Sequence, residues 1–410
     1  MVQSNLTWLR MKPLQIRIKL LVLLVIVPFF SIEAQLSQFA YDGYAKYLFS
    51  STRLPNVEER FSDHLIHSRL NTKWYATSSL TAALDLRFRA FYGELVANTP
   101  DFIKLIRTPY EFNDLGVELW ETKYSVGYLE IDRLWLDWVK DDLEVTVGRQ
   151  RIAWGTCWVW NPTDIFNPFD VLDFDYEERP AVDAIRAQYY TGAVTKIEAA
   201  YRPAKAAENQ ILAGLWSVNE WNYDFNFIAG MRYKRWLAGF SWVGDILNAG
   251  FRGEVLVSQA PNQADTNSIY MEIGDPSLFS WDKPMLSVAL SGDYTFQNTF
   301  YIHTEVLYNN NGKTSNTFLF LNEAFGLGML TAARWSIYQE FAYDITPLIR
   351  GSLFGIFNPD DGSYAIVPSV TYSLMTNLDL LLIAQVFEGD KLTEFGEYGS
   401  SFFLRIKYSF

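Results

Sequence analysis

The chain has 410 residues, a formal net charge of −13 at pH 7, 49% hydrophobic residues and a single cysteine. The acidic balance argues against nucleic acid as a partner, because proteins neutralise phosphates with clusters of Lys and Arg. One cysteine cannot form an internal disulfide, which excludes a small secreted domain held together by disulfides.

The N-terminus has the order of charged, apolar and small residues that marks a secretory signal. Basic residues precede an apolar run at 20–30, and small residues lead to an expected cleavage after Ala34. We therefore predict a signal peptide at 1–34 and an exported chain at 35–410, with Met11 as an alternative start.

The exported chain consists largely of segments of about ten residues that alternate between apolar and polar side chains, which is the period of a β-strand. In the clearest segment, residues 80–91, Leu84 and Leu86 share one face while Arg87 and Arg89 share the other. Seventeen segments fit the pattern: 36–49, 64–75, 79–92, 124–138, 143–152, 181–190, 194–202, 223–233, 236–243, 249–258, 285–296, 299–309, 334–343, 348–357, 364–374, 378–387 and 401–410.

Alternation alone fits either a soluble all-β domain or a membrane barrel. Three features favour the barrel. The segments have the length of membrane-spanning strands, aromatic residues gather near their ends, and tight connections at 297–299, 344–347 and 375–377 alternate with longer ones. We predict an all-β fold, a single transmembrane antiparallel β-barrel of the outer membrane with short periplasmic turns and long extracellular loops. Membrane lipid and lipopolysaccharide would surround it, and a secreted all-β domain is the alternative.

The number of strands in such a bacterial barrel is even, so seventeen segments leave at least one strand unassigned. Residues 211–218 and 268–274 are the candidates. The sequence therefore predicts sixteen to eighteen strands, and eighteen is preferred.

The segment that follows the strand at 143–152 carries a resemblance to known proteins. Residues 148–192 read GRQRIAWGTCWVWNPTDIFNPFDVLDFDYEERPAVDAIRAQYYTG. This stretch resembles the Gly-Arg-Gln, Trp-Gly, Asn-Pro-x-Asp and Asn-Pro segment of a group of bacterial outer-membrane barrels akin to alginate-export-type porins. The resemblance implies a signal-bearing barrel with a pore or export function, and it supplies no substrate. The matching positions are Gly148, Arg149, Gln150, Trp154, Gly155, Asn161, Pro162, Asp164, Asn167, Pro168, Asp170, Glu178, Arg179, Val182, Asp183 and Ala184.

The chemistry of this segment predicts an inward-folded loop rather than a catalytic site. Its two Asn-Pro pairs end strand pairing, and Asp164 and Asp170 can close turns on their own backbone. Arg149 and Arg151 are expected to bind these carboxylates and fold the loop inward, with Trp154 in the same lock. The loop is then either a conformational lock without ligand contact or a constriction that touches the permeating solute.

The face of the strands opposite the apolar one carries both signs of charge. These groups are either ion-paired struts of the barrel wall or the source of a transverse field that orients permeating solutes. The expected basic patch joins Arg87 and Arg89 to Arg149 and Arg151. The candidate permeation residues are Arg87, Arg89, Arg149, Arg151, Arg186, Arg232, Arg252, Asp85 and Glu254.

Nothing in the sequence assembles a catalytic site. His64 and His67 fall on opposite faces of one strand, His303 is distant, and neither a zinc-ligand spacing nor a phosphate-binding loop is present. We therefore expect no enzyme activity, no cofactor and no metal.

The sequence predicts a passive porin-like channel or exporter for small polar or anionic solutes, with its oligomeric state left open. Residues 318–333 are apolar for a free loop and are either a plug of the lumen or a partner-facing patch. A structural or adhesion protein with a filled lumen is the alternative function. Tyr408 and Phe410 end the last strand and resemble the signal by which barrel-assembly machinery recognises its clients.

Overall fold

The computed structural model describes residues 38–410, except 56, 58, 108–111, 168–171, 173–174, 176–177, 207–208 and 261–282. The predicted signal peptide, Asp170 and the candidate strand at 268–274 lie outside the described residues. In the described part of the chain, no α-helix is long and apolar enough to cross a bilayer.

Most of the regular structure in the described chain is β-strand. Its strands are β1 (Phe39–Arg53), β2 (Arg60–Thr77), β3 (Leu80–Gly93), β4 (Gly116–Glu121), β5 (Ser125–Lys140), β6 (Leu143–Gln150), β7 (Val182–Tyr190), β8 (Lys196–Arg202), β9 (Ile211–Glu220), β10 (Tyr223–Arg232), β11 (Arg235–Ile246), β12 (Ala249–Ser258), β13 (Met285–Thr295), β14 (Tyr301–Asn309), β15 (Trp335–Thr346), β16 (Ile349–Phe357), β17 (Tyr364–Met375), β18 (Leu378–Glu388) and β19 (Ser400–Ser409). The short helices are α1 (Glu94–Asn98), α2 (Phe102–Ile106), a 3₁₀ turn (Thr317–Phe320) and α3 (Leu321–Gly326).

Antiparallel pairing closes the sheet into a barrel. Each strand pairs with the next along the chain, except that β3 pairs with β5, and β19 returns to β1 over the register Tyr44↔Ser409 to Arg53↔Ser400. β4 pairs with β5 alone among the described strands and adds to the rim. The barrel therefore has eighteen strands, which confirms the predicted fold class. Two strands are missing from the sequence assignment: β4, which lies outside the eighteen, and β9, which falls at one of the two candidate positions.

Outside the part of the inner wall formed by β7–β12, most apolar side chains of the strands point away from the barrel interior. Leu84 and Leu290 are exposed, whereas Arg87, Arg89 and Glu254 on the opposite faces are buried. A lipid-facing barrel needs this arrangement, because hydrocarbon accepts apolar side chains while closed pairing satisfies the backbone. Exposed aromatic residues ring both ends of the outer face, including Trp138, Tyr189, Tyr343 and Tyr372 at one end and Tyr92, Trp236, Trp335 and Tyr364 at the other.

The two ends of the barrel differ in the length of their connections. Trp221–Asn222 and Leu247–Asn248 form two-residue turns with positive φ, and such tight turns mark the periplasmic side. Most connections at the other end are longer, as predicted. The exception is the two-residue turn Tyr233–Lys234 between β10 and β11, which leaves a low rim at the extracellular end.

Replacing Leu290, in the middle of the outer face of β13, with Arg would set a charge against lipid acyl chains. We expect the free energy of unfolding in bilayers to fall by about 2–4 kcal/mol. Urea unfolding in lipid vesicles measures the change, and Leu290→Phe, which keeps the face apolar, is the control. Equal stability of the two variants would mean that this face does not meet hydrocarbon.

Candidate functional site

Residues 151–181, here called the inward loop, connect β6 to β7, and the described residues of this loop contact the inner wall of the barrel. At its root, Gly148 has a φ of +117°, which favours glycine, and a Cβ there would strike the carbonyl of Leu134. Arg149 then pairs with Asp183 on β7, with 3.0 Å between Nε and Oδ1, and donates to the carbonyl of Ile131 at 3.0 Å. The prediction that Arg149 binds Asp164 is wrong, because β6 and β7 are in register here and Arg149 lies directly opposite Asp183.

Arg149 also closes a junction in the wall. β6 pairs with residues 134–140 of β5, and β4 pairs with residues 126–130. Ile131, whose carbonyl accepts from Arg149, lies between those two stretches. The guanidinium therefore fills the point where β6 leaves the sheet and β4 takes its place.

The carboxylate of Asp164 binds Arg179, with 2.9 Å between Oδ2 and Nη1. Burial, only partly offset by Arg179, raises the pKa of Asp164 to about 7. Arg151 keeps an exposed side chain rather than the predicted fork. Partial desolvation and the like charges of Arg179 and Arg133 lower the pKa of Arg151, opposed by Asp164, but its guanidinium stays charged at neutral pH.

Three glutamates on the barrel wall hold the loop. Glu198 of β8 accepts the indole N–H of Trp154 at 2.8 Å. Glu254 of β12 accepts from the backbone and hydroxyl groups of Thr156 and Thr163 and from the backbone N–H of Cys157, and Glu305 of β14 accepts the three consecutive backbone N–H groups of residues 158–160. Hydrogen bonds to a charged carboxylate are stronger than those between neutral groups, and Glu254 and Glu305 each accept several. These carboxylates therefore hold the loop far more strongly than one neutral hydrogen bond would.

Apolar contacts hold the same half of the loop. Ile152, Trp154, Ile165 and Phe166 are buried, and Trp154 meets Phe166 edge to face at 5.0 Å between ring centroids. Their partners are apolar residues on the inner wall of β7–β12, namely Val182, Ala184, Ala200, Ile211, Ala213, Leu215, Ile228, Leu237 and Leu256. Further on, Cys157, Val159 and Trp160 pack against Leu307 and other buried residues of β13–β17. The loop thus follows the wall from β7 to the opposite side of the barrel.

The second half of the loop returns along the remaining wall. The carbonyl of Leu172 accepts from Gln385 of β18 at 3.0 Å. Asp175 binds Lys46 of β1 at 2.9 Å and His67 of β2 at 3.2 Å. Burial would raise the pKa of Asp175, but the bond from His67 and the charge of Lys46 outweigh it and lower the pKa. The described parts of the loop therefore contact strands around most of the lumen.

The charged candidates on the wall are bound to one another. Arg87 and Arg89 share Glu130, with Nη to Oε1 distances of 3.3 and 2.9 Å, and Arg87 Nε also donates to His67 at 3.1 Å. Asp85 binds Arg69 at 3.0 Å. The expected basic patch is therefore divided: Arg87 and Arg89 share Glu130, Arg149 binds Asp183, and Arg151 is the one of the four with an exposed side chain.

Three further candidates lie elsewhere on the wall. Arg186 binds Glu198 at 2.6 Å, so the anchor of Trp154 is itself ion-paired. Arg252 binds Asp293 at 3.4 Å. Arg232 donates to the carbonyl of Gly328 at 3.2 Å, at the extracellular end of β10.

Two helical segments cover parts of the extracellular mouth. α1 and α2 place Val96, Phe102 and Ile103 against Val126 and Tyr128 at the start of β5. Residues 317–333 fold over the low rim between β10 and β11, where Arg235 donates to the carbonyl of Leu327 at 2.9 Å. The segment predicted as a plug or a partner-facing patch thus lies against inward-facing side chains of the mouth.

A buried glutamate joins three extracellular loops. Glu394, between β18 and β19, accepts hydrogen bonds from the Thr331 hydroxyl and, at 3.0 Å, from the Asn358 amide. Its backbone N–H donates to Asp361 at 2.8 Å. Burial and the nearby charge of Asp361 raise the pKa of Glu394 to about 7.

The chain terminus is tied into the barrel closure. Gly43 and Phe410 exchange two backbone hydrogen bonds of 3.0 Å, and Tyr408 pairs with Leu378 and Ala45. Recognition of these residues by assembly machinery stays a prediction. Across the described ranges, no group of three or more His, Cys, Asp or Glu side chains is placed to hold a metal ion.

The contacts that sequence reasoning missed are those between the loop and the wall. Glu198 and Glu305 belong to the charged face of their strands. Nothing in their local sequence indicates that the partner of Glu198 lies 44 residues away along the chain and that the partners of Glu305 lie 145 or more residues away. The available signal was apolar character on the inner face of β9, since a water-filled lumen would not select Ile211, Ala213 and Leu215 there.

The barrel is similar to solved structures with which it shares little sequence. Acinetobacter baumannii OccAB2 aligns with a TM-score of 0.56 and 8% identity over 91% of this chain and 98% of that chain. A. baumannii OccAB4 gives 0.55 and 11% over 92% and 99%, and Pseudomonas aeruginosa OccK8 (OprE) gives 0.54 and 8% over 91% and 98%. No protein-family model and no curated protein matches the sequence, so the resemblance of residues 148–192 stays a prediction. The chain has the fold of an outer-membrane porin barrel, and its closed sheet and apolar belt make it a protein of the Gram-negative outer membrane.

Substituting Glu254 by Gln removes the charge that accepts the N–H groups of the inward loop and sets an amide donor against them. We expect the loop to loosen by about 1.5–3 kcal/mol, seen as increased open-channel current noise and faster proteolysis of the loop. Glu144→Gln, at an inward-facing position bonded to Gln188 and Tyr190, is the matched control. Identical behaviour of the two variants would show that Glu254 does not anchor the loop.

The junction at Glu394 should respond to pH. Its pKa is raised from the ordinary 4.5 to about 7 in the folded state, so its contribution to stability is fully present below pH 4.5 and is lost as the pH rises through 7. We expect residues 389–399 to exchange amide hydrogens faster at pH 8 than at pH 5.5, after correction for intrinsic rates. Glu394→Gln should remove this difference, and an unchanged pH dependence in that variant would exclude Glu394 as its source.

Proposed function

We propose that the chain is a porin-like channel that passes small polar solutes through the outer membrane. The observation that carries the proposal is the inward loop, which is fastened to the wall of a closed barrel by buried carboxylates. A loop held in this way narrows a lumen to a defined cross-section, whereas a loop free to move would not. The fold shared with the Occ structures supports the same function.

We further propose a preference for anions, which rests on Arg151. Its side chain is exposed on the inward loop, and the charges of Arg133 and Arg179 act on it. Other arginines of the wall, such as Arg87 and Arg89, are held in ion pairs with Glu130 and act as struts. An exposed cation inside a narrow lumen attracts anions more effectively than paired charges do.

The proposed partners are membrane lipid and lipopolysaccharide around the apolar belt, and the assembly machinery that recognises the last strand.

The adhesion alternative is supported by one observation. α1, α2 and residues 317–333 cover parts of the mouth, and a barrel whose lumen they filled would act through its surface. Planar-bilayer recording of the refolded protein separates the two functions, because a filled barrel carries no ion current.

Substituting Arg151 by Gln should lower the anion-to-cation permeability ratio about sixfold, because one unit charge at roughly 8 Å in a water-like medium changes the energies of an anion and a cation by about 0.5 kcal/mol each, in opposite directions. Reversal potentials in a salt gradient measure the ratio. Lys140→Gln removes one charge from the exposed periplasmic end of β5 and serves as the control. Unchanged selectivity in Arg151→Gln would remove this residue from the permeation path.

A further inference from the structure

One tryptophan of the inward loop is left open to water inside the barrel. Trp158 is 55% exposed, although its neighbours Cys157, Val159 and Trp160 are 3%, 4% and 6% exposed. Its backbone N–H donates to Glu305 at 3.2 Å, so the residue is held in place while its indole is presented to the lumen. An exposed indole leaves apolar surface in water, which is unfavourable unless a ligand covers it.

Arg252 covers one face of the Trp158 indole, and much of the rest of the side chain is exposed. The Arg252 guanidinium carbon lies 4.4 Å from the ring centroid of Trp158, and Arg252 binds Asp293 at 3.4 Å. Arg252 precedes Glu254 on β12, which runs from the periplasmic turn toward the extracellular end. The ring therefore lies on the periplasmic side of the contact between Glu254 and the loop.

These groups define the chemistry of a ligand. The indole face is flat and apolar, and it binds rings by stacking. The guanidinium of Arg252 beside it supplies N–H donors, and the carboxylate of Asp293 supplies acceptors. A hydroxyl group both donates and accepts hydrogen bonds, so a ligand with neighbouring hydroxyl groups can bind both side chains. The charges of Arg252 and Asp293 cancel, which disfavours an aromatic acid and favours a neutral ring. A pyranose, with an apolar C–H face and a hydroxyl-bearing edge, fits these requirements.

We propose that Trp158, backed by Arg252 and Asp293, is a saccharide-stacking subsite on the periplasmic side of the inward loop. The proposal rests on the channel function, because it places the subsite on the path of the solute. It adds neutral saccharides to the solutes of the channel, a ligand class that selectivity for charge does not predict. The alternative is that the indole only stabilises Arg252 by a cation–π contact and binds no ligand.

The experiment records single-channel currents of the whole chain with maltotriose added to one side at a time. Reversible current blockades are expected, with a higher association rate from the periplasmic side. In Trp158→Ala the residence time should fall about tenfold, as expected for the loss of one stacking contact, whereas Trp158→Phe should retain most of it. The substitution leaves the loop anchored, because Trp158 uses its backbone N–H to bind Glu305.

Trp221→Ala, which removes an 84% exposed tryptophan from a periplasmic turn, is the control and should leave the blockades unchanged. Blockades that persist unaltered in Trp158→Ala, or the absence of blockades in a conducting channel, would overturn the subsite and leave the channel function intact. Blockade by benzoate rather than maltotriose would overturn the saccharide assignment.

A protein that carries no current would reject the channel function instead. Calorimetric titration of the detergent-solubilised protein with maltotriose then tests the subsite independently. Binding that is lost in Trp158→Ala and kept in Trp221→Ala supports it, and no binding to the unsubstituted chain overturns it.

Discussion

The structure depends on the mutual satisfaction of buried carboxylates on the barrel wall and backbone N–H groups of the inward loop. A loop without regular structure has donors that no strand or helix satisfies, and inside a barrel each unsatisfied donor is costly. Glu254 and Glu305 accept these donors, and the donors in turn stabilise the two charges away from bulk water. Removing either side leaves the other unsatisfied, so the loop and the wall must fold together.

This constraint explains the residues around the loop. Arg149 and Asp183 close the sheet where β6 leaves it, and Gly148 allows the turn. The apolar inner faces of β7–β12 cover the buried half of the loop. The lumen that remains is lined by paired charges of both signs, with Arg151 and Trp158 as the exposed side chains of the loop that carry the proposed chemistry. Selectivity and ligand binding would then be properties of the loop, while the wall holds it in position.

The fold could be predicted from the sequence because a membrane barrel repeats one local pattern. Strands such as β3 and β13 have one lipid-facing and one water-facing side, and their alternation is visible without any long-range information. β9 was the exception, since Ile211, Ala213 and Leu215 are apolar on the inner face as well as the outer one. The inner face of β9 is apolar because the inward loop covers it. The same contact therefore explains why β9 lacks the alternation of apolar and polar residues by which the other strands were assigned.

The site could be predicted only in part. The residues that resemble a known segment, including Arg149, Trp154 and Asp164, lie in or beside the root of the loop, and the inward folding can be predicted from them. Their partners cannot, because Asp183, Glu198 and Arg179 are chosen by register and by the path of the loop rather than by local spacing. Long-range pairing of buried charges has no signature in a single sequence, which is why the predicted fork of Arg149 onto Asp164 failed.

Amide hydrogen exchange of the protein in lipid bilayers tests this anchoring most directly. The N–H groups of residues 156–160 and Thr163 belong to no strand or helix, yet bonding to buried carboxylates predicts that they exchange as slowly as those of β12 and β14. Exchange within seconds, as for an unprotected loop, would contradict it.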